Sequence, residues 1–203
     1  GPRVAATPLR NPDLLADMAR TIDHISARDA GVGRFLLGLG AGWFAPDFDE
    51  YGYGTGAPGI SGMGPVGQRL TAFEAAVPRI LDRLPRLDPP PTRRIPILIG
   101  GAGERRTLRI VAEHADLWHA FGDEATLAHK SAVLAEHCRV VGRDPAQIER
   151  STGTSVRGLG VDDPASAERL LAHGFTPFIV AISPPDLADS AVRALLAWRD
   201  SNA

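Results

Sequence analysis

Residues 95–121 read IPILIGGAGERRTLRIVAEHADLWHAF, and the fold turns on how this stretch is parsed. Ile95–Gly100 is a short apolar run that ends in glycine, at Gly100, Gly101 and Gly103 around Ala102. Glu104–His114 then changes to a 3.6-residue apolar period, and Ala115–Phe121 returns to a β-like run. The parse is strand, glycine turn, helix, strand. Outward from it the same alternation repeats. Further β-like runs are Arg3–Thr7, Arg34–Ala41, Ser151–Val156 and Phe175–Ile182. Helical patterns follow Asn11-Pro12-Asp13, run from about Pro65 to Leu84, cover Asp123 to Val141, follow Asp163-Pro164, and follow Ser183-Pro184-Pro185. Asn11 is placed as an N-cap with Pro12 at the first helical position, and Gly142 as a stop. Leu14, Leu15, Met18, Ile22 and Ile25 share one face of the first helix.

Six apolar strands alternating with six helices argue for a parallel sheet buried on both faces. Two architectures satisfy this pattern, an open doubly wound sheet and a (β/α)8 barrel. The glycine-rich strand end Arg34–Gly42 is not followed about twenty residues on by the acidic residue of a dinucleotide fingerprint. A barrel usually takes about 250 residues, and this sequence has 203. Pattern alone leaves the choice open.

The composition narrows the function classes. Hydrophobic residues are 44% and charged residues 23%, the balance of a globular chain, not a disordered one. A net charge of −2 offers no basic footprint for nucleic acid. No apolar run reaches the ~18–20 residues of a membrane span. The first residues show no charged segment followed by an apolar core, so no signal peptide is read. A single cysteine, Cys138, excludes an internal disulfide framework and fits a reducing compartment, which points to the cytoplasm. Lys130 is the only lysine among 22 basic residues, a bias that codon usage in a GC-rich genome accounts for. Phe44–Gly64 reads as a long loop, Leu87–Arg94 as a stiff proline-rich connector, and Ala27–Gly33 as a short flexible link.

Two glycine strings suggest chemistry. Gly38–Trp43 (GLGAGW) ends a strand, where Gly40 and Gly42 either let backbone approach a flat ligand or permit tight strand–helix packing. Gly100–Gly103 opens a helix, whose free amides and dipole offer an anion site; simple turn formation is the plainer reading. No serine elbow or paired cysteine nucleophile stands out, and the spacing of His114 and His119 is poor for a metal. Cys138, inside a helical pattern, reads as packing. His119, at the end of a strand, is either a hydrogen-bonded core histidine or a group near a barrel mouth; Asp116 braces the start of that strand. Glycine-lined strand ends without an evident acid, base or metal suit cofactor chemistry.

The strings RNPDLLADMARTIDHIS, RFLLGLGAGWFAPDFDEYGYGTG and IPILIGGAGERRTLRIVAEHADLWHAFG closely resemble the bacterial luciferase-like flavin and deazaflavin oxidoreductases, and within them the F420-dependent branch. The likeness runs from Val4 to about Arg199. It implies a (β/α)8-type barrel, incomplete here, in which residues 1–203 form one domain supplying units three to eight. About 80 further residues ahead of it would complete eight units. By the same resemblance, Gly40, Ala41 and Gly42 contact the cofactor ring or the chain leading to its phosphate, while Gly100, Gly101, Ala102 and Gly103 bind the tail. Val4–Thr7 matches a strand end that in relatives carries a bulge or a non-proline cis peptide. Trp43 stands where relatives place a polar or acidic residue, so it shapes a pocket without an acidic proton to give.

The implied reaction is hydride transfer between F420, or alternatively FMN, and a small organic substrate, with His119 as the candidate for stabilising developing charge. The competing expectation is a non-catalytic, cofactor-binding or structural relative, or a fragment of a longer enzyme. Open strand edges in an incomplete barrel imply self-association, most simply as a homodimer. No nucleic-acid or membrane partner and no metal are expected.

Overall fold

The computed structural model describes residues 4–50, 63–155, 164–181 and 190–201. Six strands appear among them: β1 (Ala5–Ala6), β2 (Leu37–Gly40), β3 (Ile97–Gly100), β4 (Leu117–Ala120), β5 (Glu149–Ser155) and β6 (Phe175–Ala181). They alternate with α1 (Pro12–Ser26), α2 (Ala45–Glu50), α3 (Val66–Arg83), α4 (Thr107–His114), α5 (Glu124–Val141), α6 (Pro164–Ala172) and α7 (Ser190–Ser201). The strand order is β1-β2-β3-β4-β5-β6, the sequential order of a barrel-type fold and not the reversed order of a doubly wound sheet. The expected α/β class with parallel strands is therefore present.

Several elements differ from the sequence reading. α2 forms inside the segment read as a loop, with Phe48 as its buried anchor; residues 51–62 of that segment lie outside the described residues. β1 is only two residues long and passes directly into a 3-10 turn, Thr7–Leu9. The single cis peptide among the described residues is Asp88–Pro89, so the non-proline cis bond that the resemblance suggested for Val4–Thr7 is not found there.

The chain divides into two compact units, Gly1–Gly100 with His114–Asp116, and Gly101–Glu113 with Leu117–Ala203. In the first, β1, β2 and β3 pair in parallel, with Ala5 opposite Leu39 and Leu37 opposite Ile97. Leu37, Leu39, Ile97 and Ile99 are fully buried together with Phe73, Val77 and Ile80 of α3. Strands apolar at every position are what burial on both faces requires. Asn11 caps α1 by accepting from the amides of Asp13 at 2.9 Å and Leu14 at 3.2 Å. Asp116 braces β3: its Oδ2 accepts from the amide of Ile97 at 2.8 Å, and its Oδ1 meets Arg94 at 2.7 Å.

In the second unit, β4 pairs with β5, His119 lying opposite Ser151, and β5 pairs with β6. The core holds Trp118, Phe175, Leu108, Ile110, Leu127 and Leu134. Asp123 caps α5 by accepting from Thr126 N at 2.8 Å, and Gly142 closes it at φ 71, the left-handed conformation that glycine adopts freely. Cys138 is fully buried, and burial pushes its thiol up, so it packs as an apolar side chain.

α1 and α3 are joined by Asp13–Arg79 and Asp17–Arg83 pairs, the latter bidentate at 2.9 and 3.0 Å. The hydrogen bonds from Arg79 and Arg83 hold both carboxyls below the ordinary carboxylate range. A carboxyl depressed in the folded state contributes stability that is complete above its unfolded pKa and is lost as pH falls through the folded value. The urea midpoint is therefore expected to drop as pH goes from about 5 to about 3. A double Asp13→Asn/Asp17→Asn variant, titrated by the same denaturation series, should show a flatter acid limb.

Candidate functional site

In the second unit the chain after Gly100 becomes a tight strand-to-helix turn. Gly101 sits at φ 129, a conformation closed to most L-residues, and is tied to β4 at both ends. Its amide donates to His119 O at 3.0 Å, and its carbonyl accepts from Trp118 Nε1 at 2.8 Å. The amides of Ala102 and Gly103 donate to no described residue. α4 opens at Thr107, and a Cβ on Gly103 would stand 2.9 Å from Thr107 Oγ1, so the turn admits no side chain there without a shift.

The charges around this turn are sorted. Glu104 would oppose an anion, but its carboxylate is occupied by Lys130 at 2.5 Å and His129 at 3.1 Å. Those hydrogen bonds, Lys130's foremost, hold the Glu104 carboxyl below its usual value. The Glu104 carbonyl accepts from His137 Nε2 at 2.7 Å, so α5 grips the turn at two points. Arg105 is exposed and has no ion pair among the described residues. Two undirected amides, a helix N-terminus and one open guanidinium can accept an anionic group such as a phosphate.

His119 is 4% exposed. Its Nδ1 shares a 2.6 Å hydrogen bond with Ser151 Oγ, and its ring meets Phe121 edge-on at 4.9 Å between centroids. A Cβ on Gly153 would come within 2.4 Å of the Phe121 ring, so His119, Phe121, Ser151 and Gly153 occupy one sheet face. Phe121 itself is 63% exposed. The sequence reading singled out His119 and missed Ser151, because the pairing depends on the β4–β5 register and no local spacing signals it.

In the first unit, Gly40, Ala41, Gly42 and Gly100 gather at the ends of β2 and β3. The space their missing side chains leave is taken up by the chain itself. A Cβ on Gly40 would lie 3.3 Å from Val4 Cγ2, one on Gly100 would lie 2.5 Å from Val4 Cγ1, and one on Gly42 would lie 2.8 Å from the Phe48 ring. These glycines therefore serve tight packing in this structure. Arg69, 7% exposed on α3, binds only backbone carbonyls among the described residues: Gly42 at 3.1 Å, Met63 at 3.4 Å and Gly64 at 2.5 Å. It fixes the path of the chain after β2, a role the sequence did not reveal. Trp43 stands 76% exposed beside Phe44, the rings 5.6 Å apart and edge-to-face.

A barrel-type α/β protein is the class this fold defines. The chain belongs to the luciferase-like monooxygenase family, whose model matches residues 1–192. No curated protein matches it. Among solved structures it is similar to an F420-dependent secondary alcohol dehydrogenase in complex with an F420–acetone adduct. That match has a TM-score of 0.67 and 15% identity, over 93% of this chain and 75% of that one. The coenzyme F420-dependent tetrahydromethanopterin reductase from Methanopyrus kandleri matches at TM-score 0.67 and 15% identity, over 98% and 81%. The FMN-bound oxygenating constituent of 3,6-diketocamphane monooxygenase from Pseudomonas putida matches at TM-score 0.55 and 15% identity, over 85% and 52%. At such identities the likeness is one of fold. Among the described residues no helix is long and apolar enough to cross a membrane.

Proposed function

We propose that this chain is an F420-dependent oxidoreductase, with FMN as the alternative cofactor, that moves a hydride between the cofactor and a small organic substrate. The observation that carries the reading is the turn at Gly101–Thr107, whose open amides and Arg105 suit the phosphate-bearing tail common to both cofactors. The bound ring supplies the hydride chemistry. The chain's own residues hold and orient. Gly101, Ala102 and Gly103 present backbone to the tail; Gly40, Ala41, Gly42 and Gly100 are the ring-side segment that the family resemblance implies, and Val4 and Phe48 pack beside its glycines. His119, kept in one orientation by Ser151, is assigned to stabilising charge that develops on the substrate. The same reading takes the chain as one barrel domain acting in the cytoplasm.

One observation favours a second reading, a cofactor-binding relative without turnover: Val4 and Phe48 fill the room beside Gly40, Gly42 and Gly100. Fluorescence titration with F420 and, separately, FMN tests the first step. Saturable low-micromolar binding of F420 supports the proposal, binding of FMN alone transfers it to the flavin, and binding of neither removes it. Binding without hydride transfer across a panel of alcohols, aldehydes and enones would favour the second reading. With an active substrate in hand, His119→Gln is expected to slow hydride transfer by about 10²-fold while cofactor affinity holds. An unchanged rate would withdraw His119 from the chemistry.

A further inference from the structure

Phe121 follows the C-terminal end of β4, the end at which barrel-type folds carry their sites. Its ring is mostly exposed, whereas His119, two residues back on the same sheet face, is buried down to its Nε2 atom. The two rings meet edge-on, 4.9 Å apart between centroids. Phe121 also lies over Gly153 of β5: a Cβ there would stand 2.4 Å from Cε1 of the ring and 3.1 Å from Cδ1, so the ring rests on bare backbone. On each side of Phe121 the chain is pinned. The Ala120 carbonyl accepts from Thr152 Oγ1 at 2.9 Å, and Asp123 caps α5. The phenyl ring can therefore turn about χ1 without the strand following it.

We propose that Phe121 is a gate over His119, and that its ring swings off Gly153 before a substrate reaches the imidazole. The proposal rests on the reading of His119 as the group that stabilises charge developing on the substrate. With Nδ1 committed to Ser151 at 2.6 Å, contact with a substrate goes through Nε2. A buried nitrogen meets a molecule arriving from solvent only when its cover moves. Ser151 is itself buried and cannot leave without opening the core; Phe121, mostly exposed already, can.

Glycine at position 153 is what lets the gate close. A methyl group there would meet the edge of the Phe121 ring, the far end of one flexible side chain, and the ring would give way before the backbone of β5 did. The dimensions of the gate set the class of substrate. An opening left by one phenyl ring admits a small molecule, and the displaced ring offers it an apolar wall. The substrate that gains from both the wall and His119 is a small apolar carbonyl compound or alcohol, whose oxygen reaches Nε2 while its carbon frame lies on Phe121.

Labelling of the full chain with diethyl pyrocarbonate, read by peptide mass spectrometry, tests the gate. His129 and His173 are exposed and serve as internal standards. Labelling tracks the open fraction, so a gate open about 10% of the time or less slows His119 by about tenfold or more against them. Phe121→Ala should abolish that protection, and Gly153→Ala, which pushes the ring aside, should abolish most of it. Phe121→Tyr keeps the ring and should keep the protection. The melting temperatures of both Phe121 variants should match the native chain, which separates opening of the gate from unfolding. Native His119 labelled as fast as the standards would overturn the proposal, and so would protection that survives Phe121→Ala or Gly153→Ala. The labelling involves neither F420 nor FMN, so a chain that binds neither would lose the proposed function without altering this result.

Discussion

A Gly33→Ala variant is expected to melt about 6–12 °C below the native chain, the shift that a loss of about 3 kcal/mol produces in a domain of this size. The position looks unremarkable in sequence, at the end of a stretch read as a flexible link. Among the described glycines it is the one where an added Cβ would come closest to a neighbour. A Cβ there would lie 1.8 Å from Asp23 Oδ1, 2.4 Å from its Cγ and 2.7 Å from its backbone oxygen. Asp23 has nowhere to retreat. It is fully buried, and its Oδ2 accepts from both the amide and the hydroxyl of Thr92 at 2.7 Å. The Thr92 hydroxyl in turn accepts from Gly33 N at 2.8 Å, and Arg93 donates to the carbonyls of Gly33 and Phe35. A methyl group at Gly33 therefore breaks a closed network that joins α1, the chain entering β2 and the proline-rich connector. Gly67→Ala is the control: a Cβ there meets nothing within 4 Å, and residue 67 is helical. Its melting temperature should hold or rise slightly, since alanine is the better helix former. Equal melting of the two variants would refute the assignment.

The second large effect is expected at Trp118, and it separates stability from binding. Trp118 is fully buried, with its ring 5.8 Å from that of Phe175 and its indole N–H on the Gly101 carbonyl. Trp118→Ala removes the side chain outright and should cost about 3–5 kcal/mol by urea denaturation. Trp118→Phe keeps most of the apolar contact and loses one hydrogen bond, about 1 kcal/mol. The consequence for the turn is larger. Without the indole donor, Gly101 keeps only its amide bond to His119 O, and the amides of Ala102 and Gly103 lose their fixed aim. F420 affinity is expected to fall roughly 10- to 100-fold in Trp118→Phe, the usual penalty for releasing a group that orients a binding residue. A folded Trp118→Phe chain with native affinity would show that Gly101 is not part of the tail site.

Both predictions fall on residues whose importance local sequence does not announce, and the contrast with what was legible is instructive. Asn11-Pro12, Asp123 and Gly142 act over three or four residues, so their capping roles are readable directly, and each stands where the pattern placed it. The six strands also form at the expected runs; for the short apolar stretches of β2 and β3 the reason is that such runs are stable only when both faces are covered, whereas β5, Glu149–Ser155, is polar and β1 has only two residues. The glycines were harder. Gly40 and Gly100 looked equally suited to a ligand or to packing, and it is Val4, dozens of residues away, that takes the space beside them. His119 was singled out by its place in a strand, while its partner Ser151 follows only from the parallel register.

The sequence alone thus determined the βα alternation, the parallel class, the helix ends and the glycine turn before α4, since each rests on periodicity or on hydrogen bonds between near neighbours in the chain. Only the tertiary structure decided which way α1 turns its apolar residues, what fills the glycine gaps, and which side chain orients His119. Periodicity shows that a helix has an apolar face but not what covers it. Contacts such as Gly33 on Asp23, Arg69 on Gly42 and His137 on Glu104 join residues ten to more than thirty positions apart, and they exist only once the strands have chosen their neighbours.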